Sequence, residues 1–391
     1  MNVVTFPADQ GGCGHYRLIY PARAVTATRT GVTVTEADQL DEVRHRVMYR
    51  RTTDPAWVVR ERDELVDVNL DADVAVFQRI VDEGRLEHIA ALQARGVAVV
   101  VDVDDDLTNL PKGHPYRLHS SPYWASGADR TVLARACQMA DLVTVTTPAL
   151  AAIYGRHGRV AILPNCVPDW YLDTMADRWA PGEITVGWTG STVTHVRDLE
   201  VVGDGVARAL ADTGARFVAL GTGVDVARQL GLDPDRVETT GGWVDIADYP
   251  AEYARFDVAI VPLQPNPFNE AKSWLKGIEA AAVGVPFVAS PTGPYRALRG
   301  EGAGVLADTP DEWHAALVRL ITDTQHRAKV AAAGRHVARR WTYEANAGLW
   351  VDAWQAAAAH RARQPRPPRA GTIPAAAVAP VRRPRPKKVR V

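Results

Sequence analysis

The segment richest in reactive side chains is Phe268-Asn269-Glu270-Ala271-Lys272-Ser273-Trp274-Leu275-Lys276-Gly277-Ile278-Glu279. On one helix, Lys272, Lys276 and Glu279 fall at i, i+4 and i+7 and share a face. A lysine in a first helical turn opposes the helix dipole, and a bound anion offsets that cost. A buried glutamate can accept from two ribose hydroxyls. An exposed helix with Lys/Glu pairing is the plainer reading, but the Ala/Val/Ile-rich surroundings favour burial. Asn269 is expected to face a cleft.

Three loops add to this segment. In Gly187-Trp188-Thr189-Gly190-Ser191-Thr192-Val193-Thr194-His195 an apolar strand runs into small residues. Gly190, Ser191 and Thr192 can offer amides and hydroxyls to a diphosphate, and His195 and Arg197 can add positive charge at a helix start. A capping or surface role for His195 stays open. In Gly11-Gly12-Cys13-Gly14-His15-Tyr16-Arg17, Gly12, Gly14 and His15 suit close approach of backbone to a ligand, or simply a tight turn. The spacing is not GxGxxG, so a nicotinamide cofactor is not supported. Third, Asp102-Val103-Asp104-Asp105-Asp106 ends an apolar strand. Asp104 and Asp105, with His195, are the candidates for a direct part in chemistry, and Asp106 for acceptor or sugar contact. A DxD string could instead hold Mg²⁺ or Mn²⁺, or cap a helix and solvate a loop. Asn165 is a turn residue by default and a cleft residue if two domains face each other. No Ser-His-Asp spacing or C-x-x-C pair stands out.

These loops need strands to end on. NVVTF, GVTVTEA, DVAVFQR, VAVVVDVD, DLVTVTT and VAILPN are apolar runs separated by amphipathic stretches. After CVPDWYLDTMADRWAPGE the rhythm restarts with ITVGWTG, RFVALG, VETTGG, VAIVPL, PFVAS and GVLAD. Near-continuous Val/Ile/Leu strands alternating with helices predict parallel sheets covered on both faces. The expected fold is α/β: a doubly wound Rossmann-like domain over 1–170, a linker at 171–183, and a second such domain over 184–342. A packing helix at 343–360 would cross back, and 361–391 would be a disordered Pro/Arg-rich tail. Ligands of such sheets bind beyond the carboxyl ends of the strands, here a cleft between domains.

The bulk numbers agree. The 391 residues suit two domains, and 47% hydrophobic with 23% charged residues is a globular profile. No apolar run is long enough to cross a membrane. The opening residues read as a strand and not as a signal peptide, and three widely spaced cysteines suggest a reducing compartment, so a cytoplasmic protein is expected. The net charge of −1 hides an asymmetry: residues 361–391 hold ten Lys or Arg and no acid, leaving 35 basic and 46 acidic residues elsewhere. Such a tail could bind nucleic acid, or serve only as a solubilising or partner-docking extension.

Over roughly residues 1–360 the sequence resembles the GT-B glycosyltransferases, especially the large retaining group called family 4 or group 1. GGCGHYRLIYPARAV is similar to that family's N-terminal glycine loop, and ADLVTVTTPAL with VAILPNCVP to the block that places Asn165 at its asparagine. VGWTGSTVTHVRDL looks like the donor-phosphate loop, with His195 or Arg197 in place of the usual basic residue. The segment through Glu279 and Gly284-Val285-Pro286 resembles the E-x7-E donor motif and the strand after it. The resemblance implies that Glu279 binds ribose. The first glutamate falls on Ala271, its role vacant or shifted to Glu270. Lys272 and Ser273 lie near the phosphates, as in a divergent branch. The family's sugar-touching histidine is replaced by Asp104 to Asp106. The resemblance also implies retention of configuration, no metal or other cofactor, and a nucleotide diphosphate sugar as donor substrate. The acceptor stays open among protein, nucleic acid, glycan, lipid and small molecule. A GT-B-fold nucleotide-sugar epimerase and a DNA-modifying glycosyltransferase held by the tail are the alternatives.

Overall fold

In the computed structural model, residues 1–28, 31–36, 58–61, 64–81, 83–114, 129–174, 183–222, 226–240, 242 and 244–365 are described. The first domain holds strands β1 (Asn2–Phe6), β2 (Thr33–Glu36), β5 (Val74–Gln78), β6 (Ala98–Val103), β7 (Leu142–Val145) and β8 (Val160–Ile162). They form one parallel sheet in the order β2-β1-β5-β6-β7-β8. Strands β3 (Val58–Glu61) and β4 (Glu64–Val68) make a separate antiparallel pair that the sequence reading did not foresee. The second domain repeats the plan with β9 (Thr185–Ser191), β10 (Arg216–Thr222), β11 (Val237–Thr239), β12 (Val258–Val261), β13 (Phe287–Ala289) and β14 (Val305–Leu306). Their order is β11-β10-β9-β12-β13-β14, again parallel. All twelve sheet strands coincide with the apolar runs read from the sequence.

The reason is burial. Every residue of β5, β6 and β7 is buried, as a parallel strand covered on both faces requires. Chain order reverses between β1 and β5 in one sheet and between β9 and β12 in the other. Those are the switch points where doubly wound sheets open a crevice at the carboxyl ends of their strands.

The expected linker is only partly visible. Residues Asp169–Asp173 form a 3-10 turn, and 175–182 lie outside the described residues. The last helix, Tyr343–Arg363, is capped by Thr342 and runs three residues past its expected end at 360. It returns to the first domain, packing against the helix Tyr20–Ala27 and strands β6 and β7. Trp350, Trp354 and Ala357 on it are buried in a core shared with Ala24 and Val25. Two chain crossings between domains lie side by side, because Val167 N donates to the Trp341 carbonyl at 3.1 Å and Tyr343 N to the Val167 carbonyl at 3.0 Å. From 366 on, the basic tail lies outside the described residues. Among the described residues no helix is long and apolar enough to cross a membrane.

Candidate functional site between the two domains

The segment 268–279 is not one helix. Pro267–Ala271 is a short helix capped by Asn266, and Leu275–Ala282 is a second one. Lys272, with ψ of 162°, ends the first and lies outside the second. The expectation that Lys272, Lys276 and Glu279 share one helix face is therefore corrected. Lys272 reaches the cleft from a corner, where its Nζ lies 4.5 Å above the Phe268 ring and 3.6 Å from Asp105 of the first domain.

Glu279 is 2% exposed. Its Oε2 accepts from Tyr249 Oη at 3.3 Å and lies 3.3 Å from Lys276 Nζ. Lys276 Nζ donates to Tyr249 Oη at 2.7 Å, and the Thr189 hydroxyl lies 2.8 Å from the same oxygen, on its accepting side. Glu279 Oε1 has no hydrogen-bond partner among the described residues. A buried acceptor without a donor is costly. The carboxylate and burial push the neighbouring Tyr16 and Tyr249 hydroxyls well above their ordinary pKa, burial being the larger cause. Tyr16, from the first domain, brings that domain to the edge of this pocket.

The phosphate-loop candidates follow β9. Gly190 has φ of +155°, and a side chain there would meet the Trp188 ring at 2.9 Å. The Ser191 carbonyl accepts from Thr194 N and His195 N, closing the turn. His195 Nδ1 lies 3.0 Å from Asp198 Oδ2. Burial lowers the His195 pKa, the Asp198 hydrogen bond opposes that, and the charges of Lys272 and Lys276 lower it further. That shift favours the neutral imidazole at pH 7.

Two predicted site residues build this wall and offer little to a ligand. Asn269, 2% exposed, donates to Asp198 Oδ1 at 2.8 Å and to the Gln264 carbonyl at 3.0 Å. Arg197, with φ of +62°, has a side chain 73% exposed and paired with Glu200 at 2.7 Å. Glu279 stands where the resemblance puts the donor motif's second glutamate, and Glu270, the alternative for the first, is engaged within its own domain. Glu270 accepts from Gly293 N at 2.9 Å and pairs with Arg296 at 2.8 Å, while Ala271 is buried.

Across the cleft the aspartates separate into different tasks. Asp102 Oδ1 accepts from Arg17 Nε at 3.0 Å and Asp102 Oδ2 from Arg17 Nη2 at 2.7 Å, with Thr144 Oγ1 also donating to Oδ2. Asp104 lies 2.9 Å from Arg79 Nε. Each carboxylate thus closes on its own guanidinium, and the DxD reading does not describe a shared metal site. Among the described residues no group of three or more His, Cys, Asp or Glu could hold a metal ion. Burial pushes the Asp104 carboxyl up to about 6 against the pull of Arg79. Asp106 accepts from Thr108 N, Thr108 Oγ1 and Asn109 Nδ2. It shapes its own loop, which corrects its assignment to sugar contact.

The glycine loop is tight for a visible reason. Asp9 Oδ1 accepts from Gly11 N at 2.9 Å and Gly14 N at 3.0 Å, and a Cβ on Gly14 would sit 1.8 Å from the Asp9 carbonyl. Gly12 lies at the turn's open side, with nothing within 4 Å of a Cβ there. His15 Nδ1 is 2.9 Å from the Gly11 carbonyl oxygen.

Two residues escaped the sequence reading. Arg79 follows β5 at the switch point with φ of +50°, its guanidinium buried between Asp104 and Asp9. His114, 3% exposed, stacks edge-on with Phe268 at 5.5 Å. Burial, then Lys272, lowers its pKa to about 4, and Asp105, His195 and Asp198 act on it too. Its only sequence signal is its place in the loop that follows β6. His114, Asp105, Lys272 and His195 thus converge from both domains.

Residues 183–323 match the family described as Glycosyl transferases group 1. A D-inositol 3-phosphate glycosyltransferase of Thermobispora bispora is 34% identical over 120 residues, which is 29% of this chain. The match spans about a quarter (26%) of that relative's length. The structure resembles Anabaena HepE, solved in complex with UDP, with a TM-score of 0.58 at 15% identity, covering 91% of this chain and all (100%) of that one. It also resembles sucrose-phosphate synthase from Thermosynechococcus elongatus, with a TM-score of 0.59 at 16% identity over 90% and 98% of the two chains. Residues 183–323 match the group 1 glycosyltransferase family, and the chain has the two-domain GT-B fold.

Proposed function

We propose that the protein transfers a sugar from a nucleotide diphosphate sugar to a hydroxyl-bearing or other nucleophilic acceptor held by the first domain. The observation that carries this reading is Glu279, a buried carboxylate with one oxygen unpartnered among the described residues, in the domain that matches the family. It would accept from the donor's ribose. Lys272 and the Gly190–His195 turn would hold the diphosphate, and His114 and Asp105 would face the transferred sugar. As the bond from C1 to the β-phosphate oxygen breaks, negative charge develops on that phosphate. Lys272 would meet that charge as it appears, and such stabilisation is the main lever for lowering the barrier.

The resemblance to the group implies front-face attack with retention: the acceptor oxygen bonds to C1 and its proton passes to the leaving phosphate. It implies no metal, so turnover is expected to survive EDTA. The eight Lys or Arg of 366–391, with no acid among them, would attract a polyanion by charge alone. Deleting 366–391 and following DNA retention across salt decides whether it holds nucleic acid.

The central test is a thermal-shift and turnover panel of UDP-, GDP- and ADP-sugars, with Glu279→Ala and Lys272→Ala. Loss of hydrogen bonds to a charged group costs about 1.5–3 kcal/mol, so each variant is expected to bind the donor about ten- to a hundredfold more weakly. Variants that turn over every nucleotide sugar as well as wild type would sink the assignment.

A further inference from the structure

Four consecutive residues of the second domain are each held by the first. Thr147 Oγ1 donates to the Ala271 carbonyl at 2.8 Å, and Asp105 pairs with Lys272 at 3.6 Å. Asn165 Nδ2 donates to Ser273 Oγ at 2.9 Å, and Trp274 Nε1 donates to the Asn165 carbonyl at 2.8 Å. These four residues span the corner between the helices Pro267–Ala271 and Leu275–Ala282. Lys272 therefore stands on a stretch whose path is set largely from across the domain boundary.

Asn165 is the pivot, and it is itself fixed. Its Oδ1 accepts from Arg17 Nη1 at 2.8 Å, and Arg17 Nη1 also donates to the Leu163 carbonyl at 2.8 Å. Arg17 grips Asp102 through two bonds, and Asp102 accepts a third from Thr144. Arg17, Asp102 and Asn165 are 0%, 1% and 5% exposed. With the guanidinium holding Oδ1, the Asn165 amide can present only its NH₂ to Ser273. The orientation is thus dictated, which is what a fully satisfied buried network does best.

We propose that Asn165 is a positioning residue: through Ser273 and Trp274 it sets the corner that carries Lys272, so the first domain determines where this cation meets the donor's diphosphate. The inference rests on the reading of Lys272 as a diphosphate ligand. A long, flexible lysine gives most to binding when its backbone anchor is fixed beforehand. The arrangement also explains why Lys272 lies outside both helices: a continuous helix through 271–274 could not turn these four residues toward Thr147, Asp105 and Asn165.

A double-mutant cycle on the full chain tests it, with calorimetric titration of UDP, GDP and ADP. With the diphosphate that wild type binds, Asn165→Ala and Ser273→Ala are each expected to weaken binding about tenfold, the scale of one charge-assisted contact. On a Lys272→Ala background either change should cost less than about twofold, because the effect acts through the lysine. Asn165→Asp should restore most of the affinity, since its carboxylate still meets Arg17 and can accept from the Ser273 hydroxyl. Ser273→Ala removes one oxygen only, and carries the test should Asn165→Ala fail to fold. If the losses are absent, or add fully to that of Lys272→Ala, the inference is overturned while the reading of Lys272 stands. If Lys272→Ala itself leaves diphosphate binding unchanged, that reading falls, and the inference with it.

Discussion

At Arg79 the backbone and the side chain answer to different demands. Its φ of +50° puts a non-glycine residue in the left-handed region, at a cost of about 1 kcal/mol or more. Its guanidinium, 7% exposed, is 2.9 Å from Asp104 and 4.0 Å from Asp9. The strain is sustained because the pair is buried at the switch point of the sheet. Arg79→Ala is therefore expected to destabilise the protein by about 3–5 kcal/mol at pH 7, since it leaves a buried carboxylate uncompensated. Adding Asp104→Asn should recover most of that loss, and urea unfolding of the two variants checks both statements. The pH sense is also fixed. Burial holds the folded Asp104 carboxyl at about 6, above its ordinary value of 3.8. Its contribution is thus fullest in acid and is lost as pH rises through about 6, and removing Arg79 moves that loss to still higher pH. None of this was legible in the sequence. The aspartate run marked the cleft, because carboxylates after a parallel strand end there, but nothing in DVAVFQR tells which guanidinium will neutralise which carboxylate.

At the scale of elements, the loop after β6 delivers a neutral imidazole to the cleft. Burial and then Lys272 bring the His114 pKa from 6.5 to about 4. Its folded pKa is depressed, so this group contributes stability above pH 6.5 that is lost as pH falls toward 4. Wild type should therefore lose more unfolding free energy between pH 7 and 4.5 than His114→Gln, while an NMR titration should find the ring still neutral at pH 6. A ring that titrates near 6.5 would place His114 in water and out of the site. The sheet strands were legible because burial on both faces writes itself into a continuous Val/Ile/Leu run. The helix break at 272–274 was not. The apolar pattern runs on from Phe268 to Ala282, and the corner is set by Thr147, Asp105 and Asn165, more than 100 residues earlier in the chain. Hydrophobic periodicity reports which face is buried, and long-range hydrogen bonds leave no trace in it.

At the scale of the whole molecule, the two domains are made in sequence but completed out of order. The first domain lacks a covering helix until Tyr343–Arg363 returns to it, after the second domain has been built. Arg361 on that helix lies 3.5 Å from Asp141, at the start of β7. One continuous core runs through both domains, joining Tyr16, Tyr171 and Trp350 with Tyr253, Leu263 and Ile278. Separate domains usually unfold as separate units. Here the shared core, the 271–274 corner and the paired crossings at Val167 and Thr342 oppose that. The expectation is one cooperative transition. Trp354→Ala, which empties a site 1% exposed in the first domain's cover, should cost about 3–5 kcal/mol. If the domains are coupled, hydrogen exchange of the variant should rise together in β6 of the first domain and β12 of the second, although the helix that carries Trp354 covers β6. Faster exchange confined to β6, with β12 unchanged, would mean that the domains open independently. The first domain would then have no rigid hold on the corner that carries Lys272, because a lever transmits position only while both of its ends stay folded.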